Sequence, residues 1–285
     1  MVRDALCAVH GWAETDVAIV KISTTGDRVQ DRALAEIGGK ALWTKELDRA
    51  LLEGEIDCAV HSMKDVETIR PDTILIAAML PRADVRDRLI GAPEIAALPE
   101  KARVGTSSPR RAAQLLRLRP DLQPMLFRGN VDTRLAKLAA GDVDATLLAA
   151  AGLDRLGRGE IGTAIPIDVM LPAPAQGAVG IEARAADARA LELLGAISHS
   201  PTLACVLLER ALLAALQADC HSPVAGLATL EGNRVTLRAE LLAEDGSAHV
   251  AGETGGDMAD RDLARILAGD LLTRAPPSVR RLFAA

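Results

Sequence analysis

The sequence predicts an α/β protein that ends in a smaller α+β domain. Three observations predict it. Between residues 16 and 182 short apolar runs alternate with helix-length segments, the pattern of α/β sheets, and parallel strands are expected from it. Beyond residue 199 the pattern changes to a long helix, two strand-like runs around Gly232-Asn233 and a last helix, which reads as an antiparallel hairpin between helices. The chain of 285 residues is 49% hydrophobic but only 1% aromatic, with no tyrosine, so Ala, Leu, Val and Ile must fill the interior.

The elements follow in order. Met1 to Trp12 is the tail of a helix with Val2, Leu6 and Val9 on one face. Asp16 to Ile22 (DVAIVKI) is a strand, followed by a polar loop with Gly26, Gly38 and Gly39. Thr44 can cap a helix that runs to Leu52 and ends at Gly54. Asp57 to His61 and Thr73 to Met79 are strands, and Pro81 to Asp84 is a hinge where the pattern breaks. Leu89 and Ile90 open a second unit. In it Arg103 to Gly105, Pro124 to Phe127 and Ala145 to Ala149 are strands. Ser108-Pro109 opens a helix ending near Arg117, and Val131 to Ala139 is another. After the loop residues Gln176 and Gly177, Ala178 to Glu182 returns to strand. Thr202 to Leu216, the hairpin within Leu227 to Ala243, and Asp260 to Leu272 complete the chain.

Composition also excludes classes of function. A net charge of -6 and almost no aromatic side chains argue against nucleic-acid binding, which needs cationic surface and stacking platforms. No run of about 18 apolar residues predicts a membrane span. Met1 to Gly11 lacks a signal peptide's apolar core, so a cytoplasmic location with reduced cysteines at 7, 58, 205 and 220 is expected. Cys58 and His61 share a C-x-x-H spacing, as do Cys7 and His10. In a strand such residues face opposite ways, and no second ligand pair stands at finger spacing, so no metal is expected.

Three segments can carry chemistry. In Gly105-Thr-Ser-Ser-Pro-Arg-Arg111 a strand ends at the start of a helix. Ser107 and Ser108 then present a helix N-terminus, which favours an anion, beside Arg110 and Arg111. Arg128, Arg134 and Arg155 follow other strand-like runs, and ligands gather at the carboxyl ends of strands in open α/β sheets. Arginine forks suit carboxylates. On these residues alone a capped helix with solvated arginines stays an open alternative. His61-Ser-Met-Lys64-Asp65 places an imidazole, a hydroxyl, an ammonium and a carboxylate at a strand end, where Asp65 could stabilise a developing cation; a polar turn is the other reading. Asp219-Cys220-His221-Ser222-Pro223 puts a cysteine in an exposed turn, either reactive, with His221 favouring the thiolate, or inert.

Together these segments resemble the porphobilinogen deaminase family. The matching runs are GGKALWTKEL (38–47), AVHSMKDV (59–66), VGTSSPRR (104–111), RGNVDTRL (128–135), AGLDRLG (151–157), PAQGAVGIE (174–182) and the ERALL to DCHSPVAG stretch (209–226), in family order across nearly the whole chain. The resemblance implies two periplasmic-binding-protein-like α/β domains facing a cleft, at 1–80 with 177–198 and at 85–172. It implies an α+β cofactor-attachment domain at 199–285. It implies condensation of four porphobilinogen molecules, with loss of ammonia, to hydroxymethylbilane, by a monomer. Cys220 would hold a dipyrromethane cofactor and Asp65 would be the catalytic carboxylate. Lys64, Ser107, Ser108, Arg110, Arg111, Arg128 and Arg134 would bind cofactor. Arg155, Gln176 and Lys40, the last on a mobile loop, would bind substrate. A non-catalytic anion-binding protein of the same fold would carry similar arginines but needs neither Asp65 nor Cys220; a truncated, inactive family member is the third reading.

Two departures from the family pattern carry expectations. Glu67 stands where proline is usual, and a mild effect is expected. The family also opens with a strand and an R-x-S-x-L-A motif ahead of the residues corresponding to Met1–Gly11. A start chosen too late is therefore expected, with an upstream segment running into Met1. The 285-residue form alone is expected to be poorly stable and to load cofactor badly.

Overall fold

The computed structural model describes residues 1–23, 44–260 and 262–283. They form two compact units: Met1–Arg82 with Ala178–Ala204, and Ala83–Gly177 with Cys205–Ala285. The first boundary falls inside the segment Pro81 to Asp84, where a proline and a shift to polar residues break the apolar pattern.

In the first unit, α1 (Val2–His10) ends at Gly11, whose φ of 69° gives the left-handed cap that glycine adopts without steric cost. The elements α2 (Lys45–Leu52), β1 (Cys58–Ser62) and β2 (Ile74–Met79) follow, and β8 (Val179–Arg184) and α6 (Ala188–Gly195) return from later in the chain. The sheet order is β1-β8-β2, antiparallel throughout. Alternation along β8 divides its side chains. Val179, Ile181 and Ala183 join Leu6, Leu194 and Ile197 in the core on one face. Glu182 therefore belongs to the opposite face. The built Cβ of an alanine at Gly180 would overlap Met63.

The expected strand at Asp16–Ile22 is not formed. Glu14–Asp16 is a 3-10 turn, the following residues have no regular structure, and Ile19 and Val20 are 65% and 56% exposed. Its β-branched pattern is real, but a strand exists only through a ladder partner, and none of the described strands pairs with it.

The second unit holds two sheets. The larger has β3 (Asp87–Ile90), β4 (Arg103–Thr106), β5 (Gln123–Leu126), β6 (Ala145–Ala149) and β7 (Thr163–Ala164) in the order β5-β4-β6-β3-β7. Strand β4 runs parallel to β5 and β6, joined through α3 (Pro109–Leu118) and α4 (Val131–Ala139); β3 is antiparallel to β6 and β7. The expectation of parallel strands thus holds only where a helix crosses between neighbouring strands. Strand β3 enters from the other unit without such a crossover, and it runs the opposite way. The short helix α5 (Ala150–Arg155) follows β6 directly. Leu89, Val104, Leu115, Ala145 and Leu147 form this sheet's core.

The smaller sheet is antiparallel, β11-β10-β9, built of β9 (Val224–Glu231), β10 (Arg234–Leu242) and β11 (His249–Asp257). It packs Val235, Leu237, Ala239 and Leu241 against α7 (Ser200–Ala215), α8 (Leu263–Arg274) and α9 (Pro277–Arg280). Helix α7 begins in the first unit and continues into the second. Gly232, at φ 60°, turns the hairpin. Among the described residues no single helix is long and apolar enough to cross a membrane.

Candidate functional site

In the first unit, β1 runs into a 3-10 turn at Met63–Asp65. Met63 is buried and donates its N–H to the Ala178 carbonyl (3.1 Å), and the Val66 N–H closes the turn on the Met63 carbonyl (3.3 Å). Between these anchors Asp65 is exposed and Lys64 half-buried. Beneath the turn lies a charged cluster that the sequence reading missed. Arg70 clasps Glu182 through Nε (2.9 Å) and Nη2 (2.8 Å). It also donates to both oxygens of Asp48 and to Glu67 Oε2 (3.0 Å). The Thr44 hydroxyl donates to the same Glu67 oxygen (2.7 Å), so Thr44 precedes α2 without capping it through its side chain. His61 Nε2 lies 3.1 Å from Glu182 Oε2. Burial pushes the Glu182 carboxyl up, but His61 and Arg70 outweigh it and hold the group below its ordinary value.

In the second unit two helix N-termini are tied together. The Ser108 Oγ caps α3 by accepting the Arg111 N–H (3.4 Å), and Pro109 takes the first helical position. The Asn130 Oδ1 caps α4, accepting both the N–H and the hydroxyl of Thr133 at 2.9 Å. Arg134 reaches back from α4, donating from Nε to the Gly129 carbonyl (2.9 Å) and from Nη2 to the Ser107 hydroxyl (3.2 Å). Ser107 and Arg134 are thereby brought together, beside amide groups that favour an anion.

Arg110, Arg111 and Gln176 go elsewhere in this structure. All three are buried on one carboxylate, Asp87. Arg110 Nη1 donates to Oδ2 (2.6 Å), and Arg111 Nη2 (2.7 Å) and Gln176 Nε2 (2.8 Å) donate to Oδ1. Burial would raise the Asp87 pKa; the two guanidiniums override it and hold the carboxyl far below the carboxylate range. These arginines were expected as ligand-facing, and the carboxylate they hold here is the chain's own. Nothing in VRDRLI singles out Asp87 as a hub, because its three donors lie 23 to 89 residues away. Arg128 is also buried.

Arg155 differs. It is exposed at the end of α5 and donates from Nη2 to the Gly177 carbonyl (2.9 Å). Desolvation lowers its pKa, with nearby Asp154 pulling the other way. Cys220 is exposed, outside any disulfide, between α7 and β9. Its turn satisfies itself: Asp219 Oδ1 accepts the His221 N–H (2.8 Å) and Ser222 Oγ accepts the Asp219 N–H (3.1 Å). Lys40 lies outside the described residues. The buried carboxylate of Glu209, also missed, accepts the N–H groups of Ala175 (2.5 Å) and Ala228 (2.7 Å). It fixes Ala175 at φ 62°, in the segment that carries Gln176 and Gly177.

The family model for the porphobilinogen deaminase dipyrromethane cofactor-binding domain matches residues 1–192, and that for the porphobilinogen deaminase C-terminal domain matches 203–272. The chain belongs to the porphobilinogen deaminase family. It is 57% identical to the porphobilinogen deaminase of Sphingopyxis alaskensis, over 100% of this chain and 91% of that protein. Its identity to the porphobilinogen deaminase of Paracoccus denitrificans is 52%, over 96% of this chain and 89% of that protein. Among solved structures, the periplasmic VFT2 domain of Bordetella pertussis BvgS aligns at 17% identity over 69% of this chain and 74% of that one, with a TM-score of 0.39. The residues fit a porphobilinogen deaminase's dipyrromethane. The group needs a thiol for its link and cations for its carboxylates, and the chain offers an exposed Cys220 and the Arg134 guanidinium beside the Ser107 hydroxyl.

Proposed function

We propose that the family's reaction, the deaminative joining of porphobilinogen units, runs in this chain on Asp65 and Cys220, with four additions giving hydroxymethylbilane. The conjunction of an exposed carboxylate and an exposed thiol, each on a turn whose flanks are pinned, supports this reading, because a protein that only binds anions needs neither. When bound, the dipyrromethane supplies the carbon to which the first pyrrole is joined. Cys220 would hold it by a thioether. Loss of ammonia leaves positive charge on the substrate, and Asp65, as a carboxylate, accepts the pyrrole N–H and stabilises that charge. Lys64, Ser107, Ser108, Arg128 and Arg134 would hold the cofactor's carboxylates. Arg155, with Lys40, takes those of the substrate through its fork. Arg110, Arg111 and Gln176 act through Asp87, shaping the loops that carry the others. The domains are those at 1–80 with 177–198, 85–172 and 199–285. The working form is a cytoplasmic monomer with no nucleic-acid or membrane partner. Incubation with porphobilinogen tests the reading: release of ammonia with formation of a linear tetrapyrrole is expected, and binding without turnover would leave an anion-binding protein.

A further inference from the structure

Both arms of the segment that carries Asp65 close on one buried carboxylate. His61, four residues before Asp65, has Nε2 at 3.1 Å from Glu182 Oε2; Arg70, five residues after it, binds the same oxygen at 2.8 Å and Glu182 Oε1 at 2.9 Å. Glu182 is fully buried on β8, the central strand of its sheet, and β8 pairs with β1 at Glu182–Ala59. A side chain there is held by a ladder on both sides and makes a rigid post. Arg70 then carries the tie outward, to Asp48 of α2 and to Glu67, two residues past Asp65. The clasp thus bears on the turn from its downstream side, in addition to the Met63 N–H bond to the Ala178 carbonyl.

We infer that Glu182, Arg70 and Glu67 are positioning residues that fix the Asp65 carboxylate for the reaction by clasping the two arms of its turn. This rests on the proposed role of Asp65. Glu67 has a particular part in it. A proline there could shape the backbone but could accept no side-chain bond, whereas Glu67 receives both Thr44 (2.7 Å) and Arg70 (3.0 Å) and ties the downstream arm to the start of α2. Three carboxylates converge on a guanidinium with five donors, so one fork satisfies them all, which a lysine's point charge cannot do.

The test uses full-length, cofactor-loaded protein. Arg70→Lys and Glu67→Gln are compared with the parent for kcat and KM with porphobilinogen, with cofactor loading by intact mass and folding by thermal unfolding as controls. The expected result is a fall in kcat of about tenfold for Arg70→Lys and less for Glu67→Gln, with KM and loading unchanged, since small misplacement of a catalytic group costs up to about a hundredfold. The same change is then made in an Asp65→Glu background, where the carboxylate is already displaced. There Arg70→Lys should cost less than about twofold. An equal penalty in both backgrounds would show a merely structural role and overturn the proposal, as would unchanged kcat in folded, loaded Arg70→Lys. If Asp65→Asn itself turns over normally, the reading of Asp65 fails first, and the two failures are thereby told apart.

Discussion

Asp87 gathers two buried arginines in the second unit. Its carboxylate is fully buried between Arg110 and Arg111, so removing it strands two cations. Breaking a buried pair in this way costs about 3–5 kcal/mol, and Asp87→Asn should lower the thermal midpoint accordingly. The sign with pH follows from linkage. A carboxyl whose folded pKa is depressed contributes stability that is complete above its unfolded pKa of about 3.9 and is lost as pH falls towards the folded value. The parent should therefore lose stability steeply below about pH 4, and Asp87→Asn, already weakened, should show a flatter acid limb in denaturant titrations. Parallel acid limbs would remove Asp87 from this role. Arg155 supports a second prediction. Its Nη2 donates to a backbone carbonyl rather than to a carboxylate, and desolvation lowers its pKa, so the fork is set for an incoming carboxylate. Arg155→Lys should raise KM for porphobilinogen about tenfold, in line with loss of a bidentate charged contact, while the melting temperature stays within a few degrees. Steady-state kinetics decides it.

At the scale of elements, close approach decides which substitutions are tolerated. β8 passes directly beneath the Asp65 turn, and a methyl at Gly180 would overlap the Met63 thioether. Gly180→Ala should therefore push the turn outward and cut kcat well before it unfolds the protein; unchanged kcat in a stable variant would contradict this. In the segment after Met170, Ala175 sits at φ 62°, a left-handed conformation that costs a residue with a Cβ about 1 kcal/mol. Ala175→Gly relieves that cost but loosens the unfolded chain by a similar amount, so a near-zero change in stability is expected by thermal unfolding. Much of this scale was legible in the sequence. Val131–Ala139 and Ala145–Ala149 follow their residue patterns to the residue, and Ser108-Pro109 opens its helix as capping chemistry requires. Strand β11 was not legible: HVAGETGGD carries three glycines and few β-formers, and it is a strand because β10 pairs with it along nine residues. Asp16–Ile22 is the converse, a β-like pattern without a ladder.

Among the described residues, three sheets each contribute to a core of small aliphatic side chains, and they are gathered into two units. The candidate site was legible in outline because its loops carry short motifs at strand ends: Asp65, Ser107, Arg134 and Cys220 stand on turns and helix starts, where local sequence determines shape. What holds those loops was not legible. Glu182, Arg70, Asp87 and Glu209 are ordinary charged residues in sequence, and they become hubs only because the chain returns to them from far away: 112 residues separate Arg70 from Glu182, and 89 separate Gln176 from Asp87. Each unit thus sets a buried charged hub behind its functional loop, Glu182 with Arg70 in one and Asp87 with two arginines in the other. The chemistry assigned to the exposed residues stands or falls on Cys220. Intact mass of the active protein under denaturing conditions, followed by peptide mapping, tests it most directly. The expected result is the added mass of two linked pyrrole units, carried by the peptide that contains Cys220 and lost in Cys220→Ser. An unmodified Cys220 peptide from protein that turns over porphobilinogen would contradict the account.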